Sequence, residues 1–269
     1  MGSGLRELLQ SEYAFGELAR TSVRTAFLNF LAEDSLVLQP GPVSGRAFYR
    51  AAPESKDQLD WYPTAADVAG SDDLGFSSGP WVYTAAASGG RSYGHFLSLW
   101  KRDPQGRWRV EFDAGIAHGA PALPERKLEP DTAPATRPPS PPARLIAADA
   151  VNHAIDDCQV VALENGLSAS LRTYARLADY RLYFDGEMPM AVDAAAVFLE
   201  KRPRVSAWKE VARRRSTDST LAYTVGEMTG ANDKSGYAYA QIWQYDARVS
   251  NWGLRALLMG LLPATAIKS

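Results

Sequence analysis

The chain has 269 residues, of which 46% are hydrophobic and 22% are charged, and its formal net charge is −2. This composition is typical of a folded globular protein, and the length allows one large domain or two of ordinary size. Because the chain has no surplus of positive charge to neutralise a phosphate backbone, nucleic acid is not expected as a partner.

A proline-rich stretch divides the chain into two halves. Residues 120–144 hold eight of the 17 prolines and show no hydrophobic periodicity, which predicts an extended, semi-rigid linker. The predicted domains are therefore residues 1–119 and residues 145–269.

The two halves have the same predicted order of elements. Each begins with a long helical pattern, at residues 5–32 and 143–178, and continues with a short strand, a short helix and then a run of strands. Helices followed by antiparallel strands are the order of the α+β class. Its repetition across the linker indicates a tandem duplication of one domain.

The clearest hairpin runs from residue 92 to residue 119. The sequence DPQG at residues 103–106 suits a type I turn, because proline fixes φ at the second position and glycine takes the left-handed one. The register that follows places Trp100 opposite Val110. His95 and Asp113 then share one face of the hairpin, and a slip of one residue would change this assignment.

Three segments of the first half carry a family resemblance. SVRTAFLNFLAEDSLVLQPGPVSGRAFY, SDDLGFSSGPW and YGHFLSLWKRDPQGRWRVEFDAGI resemble the nuclear transport factor two-like superfamily, and in particular its bacterial SnoaL-like domains of unknown function. The resemblance covers residues 5–119, and residues 147–262 match more weakly. It implies a cystatin-like, cone-shaped fold in each half. In this fold a strongly curved antiparallel sheet wraps around a long helix and forms a cone with an apolar pocket.

His95 and Asp113 are the first candidate catalytic residues. On one face of the hairpin, the aspartate would fix the tautomer of the imidazole and form an acid–base pair with it. The matching positions of the second half hold Ala238 and Leu257, so only the first half would keep such a site. The alternative is a histidine that is hydrogen-bonded at an interface and has no catalytic role.

A further candidate catalytic residue, Asp185, rests on the resemblance alone. Steroid isomerases of the superfamily place a general base at the end of the first strand, where the first half has Gln39 and the second half has Asp185. An amide cannot act as the base, and the alternative for Asp185, which the sequence favours, is a turn residue before Gly186. The oxyanion-stabilising tyrosine of such enzymes has its nearest match in Tyr13.

Aromatic side chains of the first half are the candidates for lining a pocket. Strand alternation turns about half of any such set away from the pocket. The predicted ligand-binding residues are Tyr13, Tyr49, Trp61, Phe76 and Tyr83. The predicted function is binding of a small apolar or amphipathic molecule; the alternatives are a SnoaL-like isomerase, cyclase or dehydratase, and a non-catalytic protein-interaction scaffold.

No metal or other cofactor is expected, because the chain has one cysteine, Cys158, and three histidines without a zinc-binding spacing. The apolar run at residues 254–267 is too short to span a membrane and contains Pro263. The compartment stays open between the cytoplasm and, if the first residues replace a signal peptide, the periplasm. The two domains are expected to pack as an intramolecular version of the family's homodimer, in a monomeric chain.

Overall fold

The computed structural model describes residues 3–131, 149–175, 177–231 and 236–263. The chain divides into two compact units, the first containing most of residues 3–131 and the second most of residues 149–263. Residues 132–144 of the predicted linker lie outside the described residues, as do Leu145 and Ile146 of the predicted second long helix. The exact domain boundaries therefore stay a prediction.

The helices of the first unit are α1 (Ser3–Thr21), α2 (Val23–Phe30) and α3 (Gly45–Ala51). The long helix predicted from the sequence is divided at Ser22, whose extended backbone (φ −159°, ψ 110°) ends α1. The Ser22 hydroxyl accepts a hydrogen bond from the Thr25 N–H and so caps α2. Ser44 caps α3 in the same way, through the N–H of Ala47.

The first sheet has seven strands: β1 (Leu31–Leu38), β2 (Pro42–Ser44), β3 (Gln58–Trp61), β4 (Ala65–Val68), β5 (Leu74–Thr84), β6 (Arg91–Arg102) and β7 (Trp108–His118). Their order is β2-β1-β7-β6-β5-β3, and β4 also pairs with β5. The strands from β3 to β7 pair antiparallel, whereas β1 runs parallel to β7. Pro63 separates β3 from β4, because proline has no N–H to donate to a ladder.

One face of the first sheet packs against α1 and α2, and we call it the helix face; the opposite face is the outer face. The core of this unit lies on the helix face, where Leu8 and Phe15 of α1 and Phe27 of α2 meet strand side chains that include Trp100 and Val110. Phe15 packs edge-on against Trp61 with ring centroids 4.8 Å apart. Aromatic side chains thus fill much of the space between helix and sheet.

A β-bulge in the β6–β7 hairpin changes the predicted register. Trp100 lies opposite Val110, as predicted, but the register shifts between Leu99 and Trp100. Leu99 then pairs with Phe112, so one extra residue of β7 has entered the ladder. Every β7 residue beyond the bulge lies on the face opposite to the one predicted.

The bulge separates His95 from Asp113. Asp113 pairs with Ser98, whose hydroxyl donates a 2.6 Å hydrogen bond to its carboxylate. Cross-strand partners share a face, so Asp113 and Ser98 lie together on the helix face. His95 lies three residues from Ser98 on the same strand and points to the outer face. The prediction of a common face for His95 and Asp113 is therefore wrong.

The helices of the second unit are α4 (Ala150–Asn165), α5 (Leu167–Tyr174) and α6 (Val192–Glu200). Its strands are β8 (Arg181–Phe184), β9 (Val205–Arg215), β10 (Leu221–Gly230), β11 (Gly236–Asp246) and β12 (Asn251–Leu262), in the order β8-β12-β11-β10-β9. Here the first strand again runs parallel to the last. Gly166, with φ 94°, divides the predicted long helix into α4 and α5, and Val160 of its predicted apolar face is half exposed.

The predicted fold class, α+β with helices followed by a mainly antiparallel sheet in each half, is confirmed. Each unit has two helices before its first strand and one short helix after it, and each has one parallel strand pair. Within the described residues, no helix combines the length and the apolar character needed to cross a membrane.

Candidate functional site

The first unit has a cavity of about 360 Å³ at one end of β5 and β6, which we call the aromatic cavity. Its walls include Trp61, Tyr62, Trp81 and Tyr93, together with side chains of residues 121–127. An aromatic wall with a few polar groups at its edge is the usual composition of a small-molecule site.

Glycines shape this cavity by allowing close approach. A Cβ at Gly94 would overlap the indole ring of Trp81, and a Cβ at Gly79 would overlap the carbonyl oxygen of Tyr62. With hydrogen in place of a side chain, the Trp81 ring lies close against β6 and the Tyr62 backbone lies close to β5. The positions of Trp81 and Tyr62 in the cavity wall therefore require glycine at residues 94 and 79.

Trp61 connects the cavity to a buried carboxyl on α1. Its Nε1 donates a 2.5 Å hydrogen bond to Glu12, whose side chain is buried on the helix face. Ser77 donates to the other carboxylate oxygen, and the Nε1 of Trp100 donates to that oxygen at 3.2 Å. Burial nevertheless raises the pKa of Glu12 to about 7, because three hydrogen bonds only partly replace the lost hydration.

Asp113 is a second carboxyl of the helix face with a raised pKa. Burial raises the pKa of Asp113 to about 6, opposed by the hydrogen bond from Ser98. Its negative charge also contributes to the raised pKa of Glu12 and, after burial, to that of Tyr49. Two carboxyls that resist ionisation among aromatic rings are the kind of group that general acid–base chemistry uses.

On the outer face, His95 belongs to a chain of hydrogen bonds. Its Nδ1 lies 2.7 Å from Nε2 of His118, and the Nδ1 of His118 donates to the carbonyl of Gly119 at 2.7 Å. The Nε2 of His95 lies 2.5 Å from the Glu125 carboxylate, which Thr64 also reaches through its hydroxyl at 3.1 Å. The hydrogen bond from His95 holds the pKa of Glu125 below its usual range.

Residues 119–131, which we call the strap, lie against the first unit, and all but the first of them belong to the predicted extended, semi-rigid linker. The Leu128 N–H donates to the carbonyl of Pro63 at 2.8 Å, and its own carbonyl accepts from the Tyr13 hydroxyl at 3.4 Å. The Lys127 ammonium lies 5.0 Å from the centre of the Tyr62 ring. The strap thus forms one side of the aromatic cavity.

Of the five predicted ligand-binding residues, Trp61 lines the aromatic cavity. Tyr13 holds the strap, and Tyr49 stacks on Phe27 with ring centroids 4.0 Å apart. Phe76 pairs with Leu99 across the sheet and is buried on the outer face. The hydroxyl of the fifth, Tyr83, donates to Asp57 at 2.6 Å.

Asp185 lies in the second unit. It directly follows β8, and its backbone N–H donates to the carbonyl of Met259 at 3.1 Å. Gly186 after it has φ 90°, the left-handed backbone of a turn. A catalytic role for Asp185, as for His95 and Asp113, stays a prediction.

Glu12 and Glu125 are two carboxyls of the site that the sequence reasoning missed. Glu12 stands between Leu8 and Phe15 on the buried stripe of α1, and a carboxylate at the spacing of an apolar face was a readable signal. Glu125 had no such signal, because it lies in a proline-rich segment without periodicity.

Several solved structures are similar to parts of this chain. A nuclear transport factor 2-like superfamily protein from Salmonella enterica is 17% identical, with a TM-score of 0.37 over 45% of this chain and 94% of that one. A ketosteroid isomerase-like protein from Erwinia carotovora atroseptica is 15% identical, with a TM-score of 0.37 over 44% and 98%. An NTF2-like protein with a cystatin-like fold from Novosphingobium aromaticivorans is 20% identical, with a TM-score of 0.33 over 41% and 79%. No protein-family model and no curated protein matches the chain.

Proposed function

We propose that the first unit binds a small apolar or amphipathic molecule in the aromatic cavity. The observation that carries this proposal is the cavity itself, with about 360 Å³ of space walled by Trp61, Tyr62, Trp81 and Tyr93. Ligand cavities commonly have volumes of about 300–1,000 Å³, so a molecule with one or two rings fits.

The edge of the cavity favours an amphipathic molecule over a hydrocarbon. Arg20, Asp60, Glu125 and Lys127 stand around the aromatic walls. Arg20 is paired with Asp60 at 2.5 Å, and Lys127 lies over Tyr62, so these charges are already arranged by the protein. A ligand with an apolar body and one polar end would bury the body between the rings and leave the end at this edge.

The proposal is tested with the neutral fluorophore N-phenyl-1-naphthylamine. We expect its fluorescence to rise on binding to the whole chain. Trp81→Ala removes one aromatic wall of the cavity and should raise the dissociation constant at least about fivefold. Trp208→Ala is the matched control, because Trp208 packs on Tyr239 in the second unit. The absence of binding to the unaltered protein, or equal losses in both variants, would contradict the proposal. Light scattering on the same samples tests the expectation of a monomer.

A proton-transfer enzyme is the second candidate function, and the buried Glu12 favours it. A carboxyl with a pKa of about 7 is suited to exchange a proton at neutral pH, and its hydrogen-bond partner Trp61 lines the cavity. We expect the protein to speed the exchange of the α-protons of phenylacetone for deuterium, and Glu12→Gln to abolish the effect. The exchange is measured by NMR at a phenylacetone concentration at which the compound is bound. If the α-protons then exchange no faster than in buffer alone, the enzyme candidate is wrong and ligand binding remains.

A further inference from the structure

The carboxylate of Glu125 sits on two donors at the edge of the aromatic cavity. His95 approaches one oxygen at 2.5 Å and Thr64 donates to the other at 3.1 Å. The two partners differ in exposure: the His95 side chain is 3% exposed and that of Glu125 is 39% exposed. A buried donor therefore holds a carboxylate that faces solvent.

The donor is fixed in place by further hydrogen bonds. The Gly119 carbonyl and the Glu125 carboxylate can only accept, so the Nδ1–H of His118 and the Nε2–H of His95 are the donors at the two ends of this chain. Between these ends, the Nδ1 of His95 and the Nε2 of His118 are hydrogen-bonded to each other at 2.7 Å. Such a network sets the direction of the donated hydrogen bond before any ligand arrives.

The carboxylate comes from the strap, which forms one side of the cavity, and not from the sheet. Glu125 belongs to the strap, whose contacts with the rest of the unit include those of Leu128 with Pro63 and Tyr13 and the hydrogen bond from the Tyr62 hydroxyl to the Glu125 carbonyl. An attached carboxylate of this kind competes with a free one through its high effective concentration. It also repels a second negative charge at the same position.

We propose that the ligand of the aromatic cavity carries a carboxylate, which takes the place of the Glu125 carboxylate on His95 and Thr64 and releases the strap. This inference rests on the proposed function, since it names the ligand class of the same cavity. Glu125 is then an in-chain competitor that occupies the two donors until an acidic ligand arrives. An apolar ring system would occupy the aromatic walls while the carboxylate binds the two donors.

The test compares 1-naphthylacetate with its neutral amide, 1-naphthylacetamide, by calorimetry on the whole chain. In the unaltered protein the amide is expected to bind more tightly than the carboxylate, because the latter must displace Glu125. In Glu125→Ala we expect the dissociation constant of the carboxylate to fall about tenfold or more and that of the amide to change less than about twofold. Asp131→Asn, an exposed charge removed from the same strap, is the control and should change neither.

Adding Thr64→Val to Glu125→Ala removes one donor and should reverse a large part of the gain for the carboxylate alone. Equal gains for both probes would show that the substitution merely opens the cavity, and would overturn the inference. No gain for the carboxylate would overturn it as well, while binding of the amide would leave the proposed function standing. Binding of neither probe to any variant would contradict the proposed function itself.

Release of the strap has its own readout. Arg126 and Lys127 are exposed trypsin sites beside Glu125. We expect saturating 1-naphthylacetate to speed cleavage at these two bonds in the unaltered protein, and Glu125→Ala to be cleaved quickly without any probe. Cleavage that slows or stays constant with the carboxylate bound would contradict displacement of the strap.

Discussion

The two units place different chemistry in the same part of the fold. In the first, the polar group under the sheet is the carboxyl of Glu12 on α1, held by Trp61, Ser77 and Trp100. In the second, the equivalent helix is α4, and there the thiol of Cys158 lies 3.0 Å from the Ser170 hydroxyl.

The neighbouring strand of the second unit continues this neutral network. The Oε1 of Gln241 accepts from Trp243 at 3.2 Å and from Thr224 at 3.3 Å. The buried polar side chains described in this unit are hydroxyls, this amide and Arg255, which pairs with Asp179 at 2.6 Å. Apart from Arg255, these groups are neutral, and neutral groups are buried at lower cost than a carboxylate, so the network around Gln241 is the arrangement that stability alone favours. The costly acid of the first unit supports placing the function there.

The largest expected difference between the units is in their response to pH. The pKa of Glu12 is about 7 in the folded protein and ordinarily 4.5, so the folded state binds the carboxyl proton more tightly than the unfolded state does. The protonated carboxyl contributes its full stabilisation below pH 4.5. This stabilisation is lost as the pH rises from 4.5 through 7, which lowers the free energy of unfolding by about 3 kcal/mol. Asp113 acts in the same direction, since its pKa is raised to about 6.

Amide hydrogen exchange, corrected for its intrinsic pH dependence, measures the change in stability with pH for each unit separately. Between pH 4.5 and 8 the amides of α1 and β6 should lose protection, while those of α4 and β11 should not lose it to the same extent. Glu12→Gln should remove most of the loss in the first unit. Equal losses in both units, or a loss that survives Glu12→Gln, would break the comparison.

A pair of tryptophan substitutions sharpens the same contrast with a smaller effect. Trp100→Phe removes a donor to Glu12 and Ser77, and Trp243→Phe removes a donor to Gln241. Above pH 7 the first should cost about 2 kcal/mol and the second about 1 kcal/mol, because hydrogen bonds to a charged group are worth more. Below pH 5 the two costs should converge. Denaturation by urea at both pH values gives the comparison, and equal costs at pH 8 would contradict an ionised Glu12.

The smallest expected effect concerns the attachment of the strap. Tyr13→Phe deletes a 3.4 Å hydrogen bond to the Leu128 carbonyl, so the free energy of unfolding should change by no more than about 0.5 kcal/mol. Tryptic cleavage after Lys127 should nevertheless become faster, because the strap has lost one of its anchors. An unchanged cleavage rate would show that Tyr13 does not hold the strap.

The features that the sequence predicted are set by residues close together in the chain, and those that it missed are set by residues far apart. The helix–strand order and the β6–β7 turn depend on residues close in sequence, and they were predicted correctly. The bulge after Leu99 was not, because the turn sets the register only near itself and core packing decides it further away. This one shift moved Asp113 to the helix face and undid the predicted pair with His95.

The strap shows the same limit in another form. The strap is held by contacts of Leu128 with Pro63 and of Glu125 with His95, and both pairs are far apart in sequence. A proline-rich segment has no hydrophobic periodicity from which such contacts could be predicted. Glu12 differs, because its place on the apolar stripe of α1 was visible. A charged residue on a predicted core face therefore merits the same attention as a motif.

The most direct test of the central claim is a crystal structure of the chain with 1-naphthylacetamide, the neutral probe. We expect electron density for the naphthalene ring between Trp61 and Trp81, inside the aromatic cavity of the first unit. An empty cavity with the probe bound elsewhere, or a cavity closed by its own side chains at saturating probe, would contradict the claim that this cavity is the binding site.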